Sequence, residues 1–103
     1  MFGLKALKIE EELDDKINIC AALNSLAEIL IKSKKIREAE KHLIKSVSIA
    51  TQIGSLEDIR NANQKLSDCY YEMGDFKQAF LKYKISVLAQ DSIFNIEKKQ
   101  RNY

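Results

Sequence analysis

The chain has 103 residues, 46% of them hydrophobic and 31% charged, a balance that suits one small folded domain and excludes a disordered tail. A net charge of +2 is too small to mark nucleic-acid binding. No apolar run approaches the roughly 20 residues of a membrane span, and the start, MFGLKALKIEEELDD, lacks the apolar stretch of a secretory leader.

With no proline and three glycines, little interrupts helix. The spacing predicts five helices, over 3–17, 18–33, 35–53, 56–73 and 75–90, with a sixth segment beginning at Asp91 or Ser92. Leu23, Leu26, Ala27 and Leu30 fall on one helical face, as do Ala39, Leu43, Ser46, Val47 and Ala50. Short turns separate the helices. Ser33-Lys34-Lys35 and Met73-Gly74-Asp75 occupy matching places, with Gly74 suited to a left-handed helix end and Asp75 to capping the next helix. Gly54 ends a helix in the same way, and Ser55 with Asp58 forms a capping signal.

The elements repeat. Shifting the chain by 40 places Leu26 on Leu66, Ala22 on Ala62, Ile19 on Ile59 and Leu13 on Ile53. The same shift places Ala39 on Ala79, Leu43 on Tyr83, Ser46 on Ser86 and Ile36 on Phe76. The chain thus holds about two and a half copies of a helix pair. Ala39 and Ala79 are small because helices approach closely there, with Tyr70 and Phe76 expected to fill the space on either side.

An acidic run, Glu10 to Asp15, and a basic stretch, Lys32 to Lys45, read as solvated helix faces in preference to a phosphate-binding surface. Cys20 and Cys69 lack metal spacing, and His42, expected on an exposed helix face, cannot complete a zinc site with them. Both cysteines sit in apolar-periodic segments and read as buried small hydrophobes. No nucleophile–base spacing and no phosphate-cradling glycine pattern is present, so neither an enzyme nor a cofactor is expected.

The stretch LSDCYYEMGDFKQAFLKYKISV, Leu66 to Val87, resembles a tetratricopeptide repeat through Leu66, Ser67, Tyr70, Gly74, Phe76, Ala79, Tyr83 and Ser86. The stretch Leu23 to Ser46 matches through Leu23, Leu26, Ala27, Leu30, Ile36, Ala39, Leu43 and Ser46. It departs at Lys34, where the pattern has glycine, and the later copy departs at Asn63, where a large residue is usual. The spacing fits the longer, roughly 40-residue variety. The resemblance implies an all-α domain of antiparallel helix pairs stacked as a right-handed superhelix. Its expected divisions are 1–19 as the second helix of a partial repeat, 20–59 and 60–91 as repeats, and 92–103 as a capping or linker helix. The tail, with Asp91-Ser92-Ile93-Phe94-Asn95, resembles the segment that follows the last repeat in bacterial, especially Bacteroidetes-like, signalling proteins such as sensor histidine kinases.

In this family the first helix of each pair lines a concave groove that binds a peptide or partner protein. The groove positions here are Ala21, Asn24, Ser25 and Glu28 in one copy and Asn61, Gln64, Lys65, Asp68 and Tyr71 in the next. Only Lys65 among them is basic, so the family's clamp for a terminal carboxylate is not expected, and the mixture of acid and base suits a mixed-charge partner. The leading reading is a non-enzymatic protein- or peptide-binding module from a signal-transduction protein. The alternative is a spacer or dimerisation segment without a peptide ligand. Leu4, Leu7 and Ile9 have few expected partners, so the chain reads as a piece of a longer protein that forms a homodimer through its uncapped N-terminal end. The unpaired cysteines favour a cytoplasmic over a periplasmic setting.

Overall fold

The computed structural model describes the backbone of residues 2–101 and the side chains of residues 12–99. Four helices follow one another: α1 (Phe2–Lys32), α2 (Ile36–Ile53), α3 (Leu56–Glu72) and α4 (Phe76–Arg101). Each packs antiparallel on the next, and α1 also touches α3. The shortest principal extent is 18 Å against 52 and 34 Å. Two layers of roughly 10 Å helices account for it.

Two expected helix boundaries are absent. The break between 17 and 18 does not exist, because Ile17, Asn18 and Ile19 contain no glycine or proline and α1 runs through them. Nor does a new helix begin at Asp91 or Ser92. The Ser92 hydroxyl donates to the Leu88 carbonyl at 3.0 Å, one turn back within α4. The expectation for Leu4, Leu7 and Ile9 concerns side chains outside the described residues.

The three turns close alike. Lys35 N donates to Leu30 O at 2.8 Å, Ser55 N to Ala50 O at 3.0 Å and Asp75 N to Tyr70 O at 2.9 Å, each paired with a bond spanning three residues just inside it, at 3.0, 3.3 and 3.0 Å. The geometry demands a left-handed residue each time. Gly54 and Gly74 supply it at φ 69° and 80°, while Lys34 adopts φ 65° as the lone non-glycine with positive φ among the described residues. Capping differs too. Ser55 Oγ accepts from Asp58 N at 3.4 Å, and Asp75 Oδ1 accepts from Gln78 N at 3.2 Å. Lys35, at the start of α2, offers no side-chain cap.

The core lies where α1, α2 and α3 meet. Ala27, Ala39, Leu43, Ala62, Leu66 and Cys69 form it, with Leu30, Ile36, Val47 and Tyr70 half-buried around it. The alanines let the helices approach, as expected of Ala39, and Ala79 is likewise buried. Phe76 does not fill the space beside Ala79. It is exposed and stands edge-on to Tyr71, with ring centroids 5.4 Å apart. Cys20 and Cys69 are buried and free, and His42 is half-buried instead of exposed.

Candidate functional site

The first helices of the two pairs, α1 and α3, line an open cavity of about 270 Å³. Helical periodicity sets its walls. Ala21, Asn24, Ser25 and Glu28 project from one stripe of α1, and Asp58, Asn61 and Lys65 from one stripe of α3. The sequence-predicted positions Asn24, Ser25, Glu28, Asn61 and Lys65 therefore converge on one site.

Asn24 is nearly buried, and its Oδ1 accepts from the Ser46 hydroxyl of α2 at 2.8 Å. Below it the Cys20 thiol donates to the Ser46 carbonyl at 3.6 Å. These bonds tie the cavity wall to its floor, and they hold the Asn24 carbonyl away from any ligand. The Glu28 carboxylate lies 3.7 Å from Lys32 Nζ, one turn on, with both groups exposed. Asp58 was legible only as a cap. Its carboxylate accepts from Ser55 Oγ at 2.8 Å while the residue also lines the cavity. Two turns along the same helix, Lys65 gives the site one cation beside the carboxylates of Glu28 and Asp58.

A second cavity, about 360 Å³, lies between α3 and α4 and shares Asn61 with the first. Gln64 belongs to this one, with Arg60, Tyr83, Ser86, Val87 and Gln90. Arg60 Nη1 donates to Gln90 Oε1 at 2.7 Å and its Nε to Asn61 Oδ1 at 3.2 Å, which fixes the wall. Arg60, Tyr83 and Gln90 escaped the sequence reading, because groove positions were sought only on first helices and Arg60 aligns with an apolar Cys20. Asp68 and Tyr71 are exposed one and two turns beyond Gln64 and line neither cavity. Packing raises the Asp68 carboxyl above its ordinary range, Lys65 opposing and Glu72 adding to the effect.

Two thiols and a phenol are also shifted. Burial pushes Cys69 up to about 11, with help from the charges of Asp68 and Glu40. Burial also raises Cys20, reinforced by Asp58 and offset by its bond to Ser46. Both thiols therefore stay protonated and unreactive near neutrality. Tyr70 rises to about 12 through burial and the neighbouring Glu40 carboxylate. Among the described residues no group of three or more His, Cys, Asp or Glu is placed to hold a metal ion. Nor is any helix among them long and apolar enough to cross a membrane.

A tetratricopeptide repeat family model matches residues 18–84, well over half of the chain. The chain belongs to the tetratricopeptide repeat family. Among curated proteins it is similar to tetratricopeptide repeat protein 29 of Macaca fascicularis, 32% identical over 77 residues that cover 75% of this chain and 16% of that protein. The chain thus spans about a sixth of the length of the curated relative it matches. No solved structure matches. Membership places the chain among helical repeats whose general role is protein interaction and not catalysis.

Proposed function

We propose that the groove between α1 and α3 binds an extended peptide segment of a partner protein. The observation that carries this reading is the convergence of Asn24, Ser25, Glu28, Asn61 and Lys65 on one cavity. Amides and a hydroxyl suit the backbone of an extended chain, which presents donors and acceptors at short intervals. Glu28 on the α1 wall, with Asp58 and Lys65 on the α3 wall, favours a mixed-charge segment. Residues 20–59 and 60–91 act as the repeats that frame the groove, within a right-handed superhelix. The tail match at Asp91 to Asn95 supports a parent protein in signal transduction.

The test is selection from a random peptide library displayed against this chain, followed by titration of enriched peptides. Asn61→Ala and Lys65→Ala should each weaken binding about tenfold or more, while Tyr71→Ala leaves it within twofold. Enrichment of peptides indifferent to Asn61 and Lys65 would move the site elsewhere. Failure to enrich any peptide would favour the spacer reading.

A further inference from the structure

The repeat sets up a comparison between the inside of the molecule and its two ends. The offset of 40 maps the second half of α1 onto α3, and α2 onto the first part of α4. Helix α3 is flanked on both sides, and its Leu66 and Cys69 are 1% and 0% exposed. Their counterparts on α1, Leu26 and Ile29, are 40% and 61% exposed. The face of α2 that receives α3 carries Leu43, which is fully buried, whereas its counterpart Tyr83 on α4 is 55% exposed. One end of the molecule therefore presents the apolar face of an α3, and the other presents the apolar face of an α2. Each is uncovered.

We propose that the chain assembles head to tail, the α1 face of one copy docking on the α4 face of the next as α3 docks on α2 within a copy. Three further observations choose a second copy as the occupant. The internal joint sets the Glu40 carboxylate beside Tyr70. At the outer joint the same two positions are Phe80, exposed on α4, and Leu30 on α1, an apolar pair in place of a polar one. The ends also complement one another in charge. Beyond Ile93, the counterpart of the last residue of α2, helix α4 continues through exposed Glu97, Lys98 and Lys99, a net positive stretch. Before Lys16, the counterpart of the first residue of α3, helix α1 extends through exposed Glu12, Asp14 and Asp15. Antiparallel docking in the internal register sets these two extensions side by side.

Last, the cavity between α3 and α4 lacks one wall. Its floor of Tyr83, Ser86 and Val87 matches Leu43, Ser46 and Val47, but where α3 closes over α2 no helix among the described residues closes over α4. A docked α1 supplies that wall through Asn18, Ala21 and Ser25, the counterparts of Asp58, Asn61 and Lys65. Each joint thereby completes another groove. Because the two faces differ, the contact is heterologous, and it adds copies in an open series unless the rotation closes a ring.

Sedimentation of the full chain over a concentration range tests the proposal, with Ile29→Glu on α1 and Phe80→Glu on α4 as variants. Both positions are exposed, and circular dichroism of each variant confirms the fold. The parent chain should self-associate, and each substitution should weaken association at least about tenfold, Ile29→Glu by burying a charge and Phe80→Glu by setting a carboxylate against Leu30, which lacks the hydroxyl that Tyr70 offers Glu40. The deciding result is the mixture. A copy with Phe80→Glu keeps a sound α1 face and a copy with Ile29→Glu keeps a sound α4 face, so together they should form a one-to-one dimer that grows no further. A parent chain that stays monomeric at millimolar concentration overturns the proposal. So does a closed dimer abolished by one substitution and indifferent to the other, which is the mark of a symmetric contact. Raised salt supplies a second readout and should weaken the joint, since the helix extensions carry opposite charge. The assembly readout is independent of peptide binding, so it stands whichever way the groove test falls.

Discussion

The two copies of the helix pair share a pattern and differ in burial. Leu66 in α3 vanishes into the core while Leu26, at the same place in α1, is 40% exposed. Ser46 reaches across to Asn24, whereas Ser86 turns back to the Tyr83 carbonyl of its own helix at 2.7 Å. The turn of the second pair holds Gly74 and a capping Asp75, but that of the first holds Lys34 in a left-handed conformation and an uncapped Lys35. Position in the repeat sets which residue type appears. The number of neighbouring helices sets what that residue contributes.

The sharpest way to break this comparison is to truncate matched leucines. Leu66→Ala should cost about 3 kcal/mol in thermal or denaturant unfolding, and Leu26→Ala less than about 1 kcal/mol. Equal losses would mean that α1 is covered in solution. The next effect is on pH. Folding raises the Cys69 thiol from 9.0 to about 11, so the protonated form is the one that folds well. Its contribution is fully present below pH 9 and is lost as pH climbs toward 11, a decline of about 2 kcal/mol. Cys69→Ala should flatten that slope in melts recorded across the range.

Smaller again is the matched serine pair. Ser46→Ala strands the buried Asn24 carbonyl and should cost about 1–2 kcal/mol, against under about 0.5 kcal/mol for Ser86→Ala. The smallest effect has the opposite sign. Lys34→Gly relieves the left-handed strain and should raise stability by about 1 kcal/mol, and Gly74→Ala should lower it by a similar amount. No atom lies within 4 Å of a Cβ built on Gly74, so the loss is one of backbone conformation alone.

What could be read from the residues follows the same division. The offset of 40, the three turns, the caps at Ser55 and Asp75 and the buried alanines were legible, because each depends on local chemistry at a fixed spacing. The boundaries at 17 and 91 were misread, since a repeat pattern suggests a junction that only a glycine, a proline or a committed cap enforces. Asp91 and Ser92 are cap residues in type, yet the Ser92 hydroxyl is satisfied within the helix. That Asn24, Ser25, Glu28, Asn61 and Lys65 share a cavity between α1 and α3 was legible from periodicity, which tells where a side chain points, whereas Gln64, Asp68 and Tyr71 fall outside it. That Asn24 is bound by Ser46, that Arg60 is held by Gln90 and that Phe76 meets Tyr71 edge-on all depend on residues brought from other elements or across a turn. Spacing along one helix carries no trace of them.

The two buried thiols have a use beyond packing. Cys20 sits toward the singly flanked side of the molecule and Cys69 within the doubly flanked helix, and both are fully covered. A thiol reagent can reach either one only when the surrounding helices open. Labelling rates at the two positions therefore act as a pair of clocks, one timing the fraying of an end and the other the rarer opening of the centre. The interval between them measures how far disorder at one end travels before the whole stack gives way.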